Sequence, residues 1–130
     1  MRGLYLSDND FTGSIPTQMC IFSSLEALFL DTNKIDGQIP NCFGQLTALR
    51  QLYLFQNQLI GTVPNNLQNL RQLTGLGLES NNFVGEVTDD VCGLVNEKAI
   101  DVWADCADQS GQDSLICSCC SVCCPSDQCV

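Results

Sequence analysis

Apolar positions in this chain recur on a 24-residue ruler and not on a helical period. Leu4, Leu28, Leu52 and Leu76 share one phase, and Leu6, Leu30, Leu54 and Leu78 share the phase two residues later. Asn9, Asn33, Asn57 and Asn81 follow at the same spacing, then Phe11, Ile35, Leu59 and Phe83, then Gly13, Gly37, Gly61 and Gly85. Ile15, Ile39, Val63 and Val87 come next, followed by Pro16, Pro40 and Pro64, with Thr88 in the last copy. Further apolar columns run through Met19, Phe43, Leu67 and Val91, and through Phe22, Leu46, Leu70 and Leu94. So many columns in phase mark an array of stacked structural repeats.

Each column predicts an element. The Leu-x-Leu pair alternates with period two, which describes a short strand with one face buried, and stacked copies of it make a parallel sheet. An Asn at the following corner both donates to and accepts from backbone groups that a sharp turn leaves unpaired, so its column predicts a buried hydrogen-bond ladder. The Gly column supplies a permissive backbone or room for close approach, and the Ile/Val-Pro step fixes an extended segment at an edge where a missing N–H is harmless. Apolar columns three apart suit a helical or 3₁₀ return path on the far side.

The pattern Leu-x-x-Leu-x-Leu-x-x-Asn-x-Leu/Phe/Ile-x-Gly-x-Ile/Val-Pro, as in Leu25 to Pro40 and again in Leu49 to Pro64, resembles the plant-type leucine-rich repeat. The resemblance implies an α/β repeat solenoid, a right-handed superhelix with a parallel sheet of short strands on its concave face. It also implies extracellular receptor-like proteins that bind peptides, small ligands or other proteins. We expect four repeats over residues 1–94 without an N-terminal cap, then a degenerate fifth strand and a cysteine-rich cap over residues 95–130.

Continuing the 24-residue spacing places Ile100 beneath Leu76, Val102 beneath Leu78 and Asp105 beneath Asn81, with the fifth strand through Ala99 to Trp103. Glu97 then falls in the column of Leu25, Leu49 and Leu73, where an acid indicates that the repeat core is closing. The cysteine pattern that follows Ala104 resembles the C-terminal cap of leucine-rich repeat proteins of diatoms. At the other end Met1 occupies the column of Leu25, so the first coil is expected to be uncapped, as in a fragment of a longer protein, with self-association through that coil as a consequence.

Ten cysteines point to an oxidising compartment, and six of them lie between Cys117 and Cys129. Cys92, Cys106, Cys117, Cys119, Cys120, Cys123, Cys124 and Cys129 are the disulfide candidates, with connectivity left open by the spacing. Cys120 and Cys123 have a legitimate zinc spacing, but the chain contains no histidine, and disulfides are the preferred reading. Cys20 and Cys42 are two residues out of the repeat register and are expected to remain unbridged. The cysteines place the protein outside the cell or at its surface, although the chain shows no signal peptide, sequon or stretch of apolar residues long enough to span a bilayer.

The formal charge of −10 disfavours nucleic acid as a partner and is spread as a solvated surface. Without histidine the commonest general base is absent, the glycines belong to the repeat, and no cofactor or metal is called for, so no catalytic residue is assigned. Function is expected on the strand positions that alternate against the Leu columns. Tyr5, Phe29 and Tyr53 form one such column, continued by Gly77 and Asp101, while Ser7, Asp31, Phe55, Glu79 and Trp103 form the next, flanked by Asp8, Thr32, Gln56 and Ser80. Exposed aromatics beside acids suit a protein or peptide ligand, so Tyr5, Phe29, Asp31, Tyr53, Phe55, Glu79, Asp101 and Trp103 are the candidate binding residues. The competing reading is a structural or surface-coat solenoid whose aromatics only brace neighbouring strands.

Overall fold

The computed structural model describes residues 1–98, 101–105 and 115–123, and the side chains of all of these but 95–98, 122 and 123. Walking the chain gives one coil after another. The first holds β1 (Gly3–Tyr5), β2 (Thr12–Ser14) and a 3₁₀ turn at Thr17–Ile21; the second holds β3 (Ala27–Phe29), β4 (Lys34–Asp36) and a 3₁₀ turn at Asn41–Gln45. The third holds β5 (Gln51–Tyr53), β6 (Ile60–Gly61) and a 3₁₀ turn at Asn65–Asn69, and the fourth holds β7 (Gly75–Gly77), β8 (Asn82–Phe83), β9 (Gly85–Glu86) and the helix α1 (Asp89–Lys98). Beyond α1 come β10 (Asp101–Ala104), β11 (Leu115–Ile116) and β12 (Val122–Cys123).

The main sheet has the order β1-β3-β5-β7-β10-β12 and is parallel throughout. Leu4 pairs with Leu28, Leu28 with Leu52 and Leu52 with Leu76, as the periodicity requires. Leu28, Leu52, Leu54, Leu59, Leu67 and Leu70 are fully buried between the sheet and the return turns. Each such side chain contributes roughly 1.5–3 kcal/mol of burial free energy. A second, discontinuous layer pairs β2 with β4, β6 with β8 and β9 with β11 on the flank.

The corner after each strand is held by asparagine. Asn57 Nδ2 donates to the carbonyls of Leu30 and Leu54 at 2.9 and 3.1 Å, and its Oδ1 accepts from the Ile35 N–H at 2.9 Å. Asn33 and Asn81 repeat this arrangement one coil earlier and one coil later. The residue before each Asn, in turn Asp8, Thr32, Gln56 and Ser80, adopts a left-handed backbone with φ between 54 and 57°. The glycine column also turns left-handed, with φ of 81, 74, 79 and 81° at Gly13, Gly37, Gly61 and Gly85, so conformation is what selects glycine there.

The return segment changes character in the fourth coil, and this corrects the expected register. Pro16, Pro40 and Pro64 each precede a 3₁₀ turn whose first bond runs to the proline carbonyl. Thr88 stands in place of proline, and its hydroxyl accepts from the Val91 N–H while its carbonyl accepts from the Cys92 N–H, which opens an α-helix with Asp89 and Asp90 in the first turn. An α-helix rises about 1.5 Å per residue against about 2.0 Å for 3₁₀, so it consumes more chain over the same span. The fifth strand therefore arrives two residues late, with Asp101 against Gly75, Val102 against Leu76 and Trp103 against Gly77. Val102 does not lie beneath Leu78, and Glu97 falls inside α1 and not in the Leu25 column. Asp105 is not a rung of the Asn ladder; its Oδ2 accepts from the Asn81 backbone N–H at 3.1 Å. Ala99 and Ile100, also expected in this strand, lie outside the described residues.

The cysteines bring a second correction. Cys20 and Cys42 are joined by a disulfide with a Cα–Cα distance of 5.9 Å. Residues in one column point alike, whereas a bridge between stacked coils needs one side chain aimed forward and the other back. A two-residue offset on adjacent 3₁₀ turns meets that requirement, because successive residues rotate by about a third of a turn. Cys92 of α1 is bonded to Cys119, and Cys117 to Cys120, so Cys120 is bonded to sulfur rather than poised for zinc. Cys123 lies in β12, while Cys106, Cys124 and Cys129 fall outside the described residues.

Candidate ligand-binding face

The strands of the main sheet send alternate side chains to the core, and the remaining ones form a continuous polar and aromatic face. Tyr5 and Phe29 meet edge to face with ring centroids 5.0 Å apart, and Phe29 lies 4.7 Å from Tyr53 in a tilted stack. Phe55 extends the cluster sideways, 6.1 Å from Tyr53. Such contacts are worth about 0.5–1.5 kcal/mol each, so the aromatics brace the sheet as well as display a surface. Exposure rises to 64% at Tyr5 and 43% at Trp103, with Phe29, Tyr53 and Phe55 half-buried between them.

The corrected register rearranges the far end of this face. Trp103, not Asp101, continues the column of Tyr5, Phe29, Tyr53 and Gly77, while Asp101 lies beneath Gly75 in the column of Gly3, Ala27 and Gln51. The parity of the strand survives a two-residue shift, so Asp101 and Trp103 remain exposed on the free face. Gly77 is consequently a gap between two aromatic residues of one column. The rings of Tyr53 and Phe55 lean into it: a Cβ at Gly77 would lie 3.0 Å from Phe55 Cδ1 and 3.2 Å from Tyr53 Cδ1, and one at Gly75 would lie 2.8 Å from the Tyr53 hydroxyl. Between these rings and Trp103 opens a cavity of about 410 Å³, floored by Gly75 and Gly77 and bordered by Glu79 and Asp101. Gly75, Thr74 and Gln51 belong to this cavity although sequence reasoning did not select them, and the paired glycines interrupting the columns were the available signal.

Two of the acids are not solvated as their position on an open sheet suggested. Asp31 retains 7% exposure and accepts a 2.7 Å hydrogen bond from Ser7 Oγ on the preceding strand. Glu79 retains 8% exposure, and its Oε2 has no hydrogen-bond partner among the described residues. Burial pushes the Glu79 carboxyl above its ordinary pKa; the N–H groups of Glu79 and Leu78 oppose the shift, and the charges of Asp105 and Asp31 add to it. The Phe55 and Tyr53 rings lean over Gly77 beside the Glu79 carboxylate and help to cover it.

Repeating coils, an Asn ladder and a parallel sheet on one side define a leucine-rich repeat solenoid. Residues 1–59 match the leucine rich repeat family model, and the fold is that of plant leucine-rich repeat receptor ectodomains. The ectodomain of the receptor kinase SOBIR1 from Arabidopsis thaliana is similar at 32% identity and a TM-score of 0.75, over 90% of this chain and 59% of that one. A plant ice-binding protein is similar at 29% identity and a TM-score of 0.75, over 81% of this chain and 34% of that one. The Arabidopsis receptor kinase HAESA, solved with the peptide hormone IDA and the co-receptor SERK1, is similar at 27% identity and a TM-score of 0.70, over 88% of this chain and 21% of that one. The chain thus spans less than two thirds of each of these structures. No curated protein sequence matches it. No helix among the described residues is long and apolar enough to cross a membrane.

Proposed function

We propose that this chain is a non-catalytic, extracellular recognition module that binds a peptide or protein partner on the free, concave face of its main sheet. The observation that carries this reading is the aromatic ribbon of Tyr5, Phe29, Tyr53 and Phe55, which ends in a cavity closed on the far side by Trp103. The peptide-bound state of HAESA supports a peptide as the ligand class, and the disulfides support an oxidising location. The similarity to an ice-binding protein shows that the solenoid alone does not choose a ligand, so the choice rests on these side chains.

The test is the double substitution Tyr53→Ala with Phe55→Ala. Because both rings are half-buried, stability should fall by about 1–2 kcal/mol, below the 3–5 kcal/mol of truncating a fully buried aromatic. Capture of peptides selected on the wild-type protein should fall at least tenfold, the loss of an interface anchor. Unchanged capture would remove the concave face as the binding surface. The second reading is a surface coat in which copies associate through the first coil, where Met1 is 58% exposed and Leu4 and Leu6 are only partly buried. Sedimentation showing assembly that a polar substitution at Leu4 abolishes, with the aromatic double variant assembling normally, would favour that coat.

A further inference from the structure

We infer that the cavity over Gly75 and Gly77 is a receptor for one basic side chain, lysine or arginine, of the peptide partner, with its charge placed on Glu79 Oε2. This rests on the concave face being the binding surface and adds what it selects.

The cavity is a slot and not a general apolar patch. Strands sit about 4.8 Å apart, so Tyr53 and Trp103, two strands from one another across Gly77, leave roughly 10 Å between their backbones. One wall is formed by the Tyr53 and Phe55 rings and the other by the Trp103 indole, with a floor that carries no side chains. An alkyl stem or a planar guanidinium lies well against such rings, and their faces attract a cation. Neutral apolar side chains would satisfy the walls but not the ends.

The ends are acidic. Asp101 borders the cavity at the Gly75 end, and Glu79 borders it beyond Gly77. A Cβ at Gly77 would lie 3.5 Å from Glu79 Oε2, but nearer still to the Phe55 and Tyr53 rings, at 3.0 and 3.2 Å, so that oxygen lies at the cavity floor beneath the rings and a ligand cation reaches it as they rotate outward. The oxygen is more than nine-tenths buried and has no hydrogen-bond partner among the described residues. A buried acceptor without a donor is destabilising, more so when charged, and a ligand N–H would recover that cost. Asp31 and Asp105 act on Glu79 with charge of the same sign, so the potential at that end is negative from several directions. An ammonium or guanidinium provides both the missing donor and the opposite charge. A carboxylate ligand is excluded by the same groups.

The experiment selects peptides from a displayed random library on the intact, oxidised chain and measures them against wild type, Glu79→Gln and the Tyr53→Ala/Phe55→Ala variant. Glu79→Gln keeps the shape of the side chain, and circular dichroism confirms its fold. We expect selected peptides to share a lysine or arginine, and binding to fall by about tenfold or more when that residue is replaced by norleucine or when Glu79 becomes Gln. Peptides that lose binding in the aromatic variant yet carry no basic residue, or bind Glu79→Gln undiminished, would overturn the basic-residue slot while leaving the concave site in place. Peptides indifferent to both variants, or no selected peptides at all, would overturn the concave site together with the slot.

Discussion

Truncating one rung of the Asn ladder should cost far more in the middle of the solenoid than at its first coil. Asn57→Ala removes donations to the carbonyls of Leu30, Leu54 and Phe55 and the acceptor of the Ile35 N–H. The three carbonyls are not orphaned. Leu30 keeps a 3.0 Å bond from Asn33 Nδ2, Leu54 keeps a 2.9 Å bond from Asn81 Nδ2, and Phe55 keeps a 2.9 Å bond from the Thr32 N–H. Only the Ile35 N–H loses its partner, in a residue that is 6% exposed. An orphaned donor costs about 1–3 kcal/mol and the shared bonds about 0.5 kcal/mol each, for a total of about 3 kcal/mol. Asn9 donates to the Leu6 and Ser7 carbonyls at 3.2 and 3.0 Å in an exposed corner, and water replaces it, so Asn9→Ala should cost about 0.5 kcal/mol. Urea unfolding of the oxidised variants measures the difference, and native-state hydrogen exchange at the Ile35 amide reports whether the loss is local. If the two substitutions agree within about 0.5 kcal/mol, the corner is held by packing and not by the ladder.

Two further outcomes follow from the cysteines and from Glu79. Replacing Cys20 and Cys42 together by Ser opens a bridge with a sequence separation of 22 and should cost about 3 kcal/mol on the loop-entropy model, read as a lower urea midpoint; an unchanged midpoint would mean the bridge does not restrain the unfolded chain. For Glu79 the folded state raises the pKa, so the folded chain holds the proton more tightly and its contribution is complete at low pH, then lost as the pH rises through the raised value. Glu79→Gln should therefore gain stability relative to wild type between the ordinary glutamate range and neutral pH and show little gain below it; a wild-type minus variant difference independent of pH would refute the burial of that carboxyl.

Much of the architecture was legible in residue spacing. The Leu, Asn and Gly columns recur because each coil meets an almost identical neighbour, so one set of contacts is written into the chain repeatedly. The parity of Tyr5, Phe29, Tyr53 and Trp103 was legible for the same reason, since a strand has only two faces. What spacing counts, however, is residues and not distance. Thr88 in place of proline, followed by Asp89 and Asp90, signals a capped α-helix, but only the folded path shows that the helix delays β10 by two residues and sets Trp103 across Gly77 from Tyr53. Likewise the out-of-register Cys20 and Cys42 meet because 3₁₀ turns rotate side chains towards adjacent coils. The burial of Asp31 and Glu79 and the cavity beside Trp103 were decided by tertiary structure alone. The last two depend on where the Tyr53 and Phe55 rings lean once two glycines leave them room, while Asp31 is held by Ser7 of the preceding coil; a side chain's direction in space is fixed by neighbours that the linear order does not place beside it.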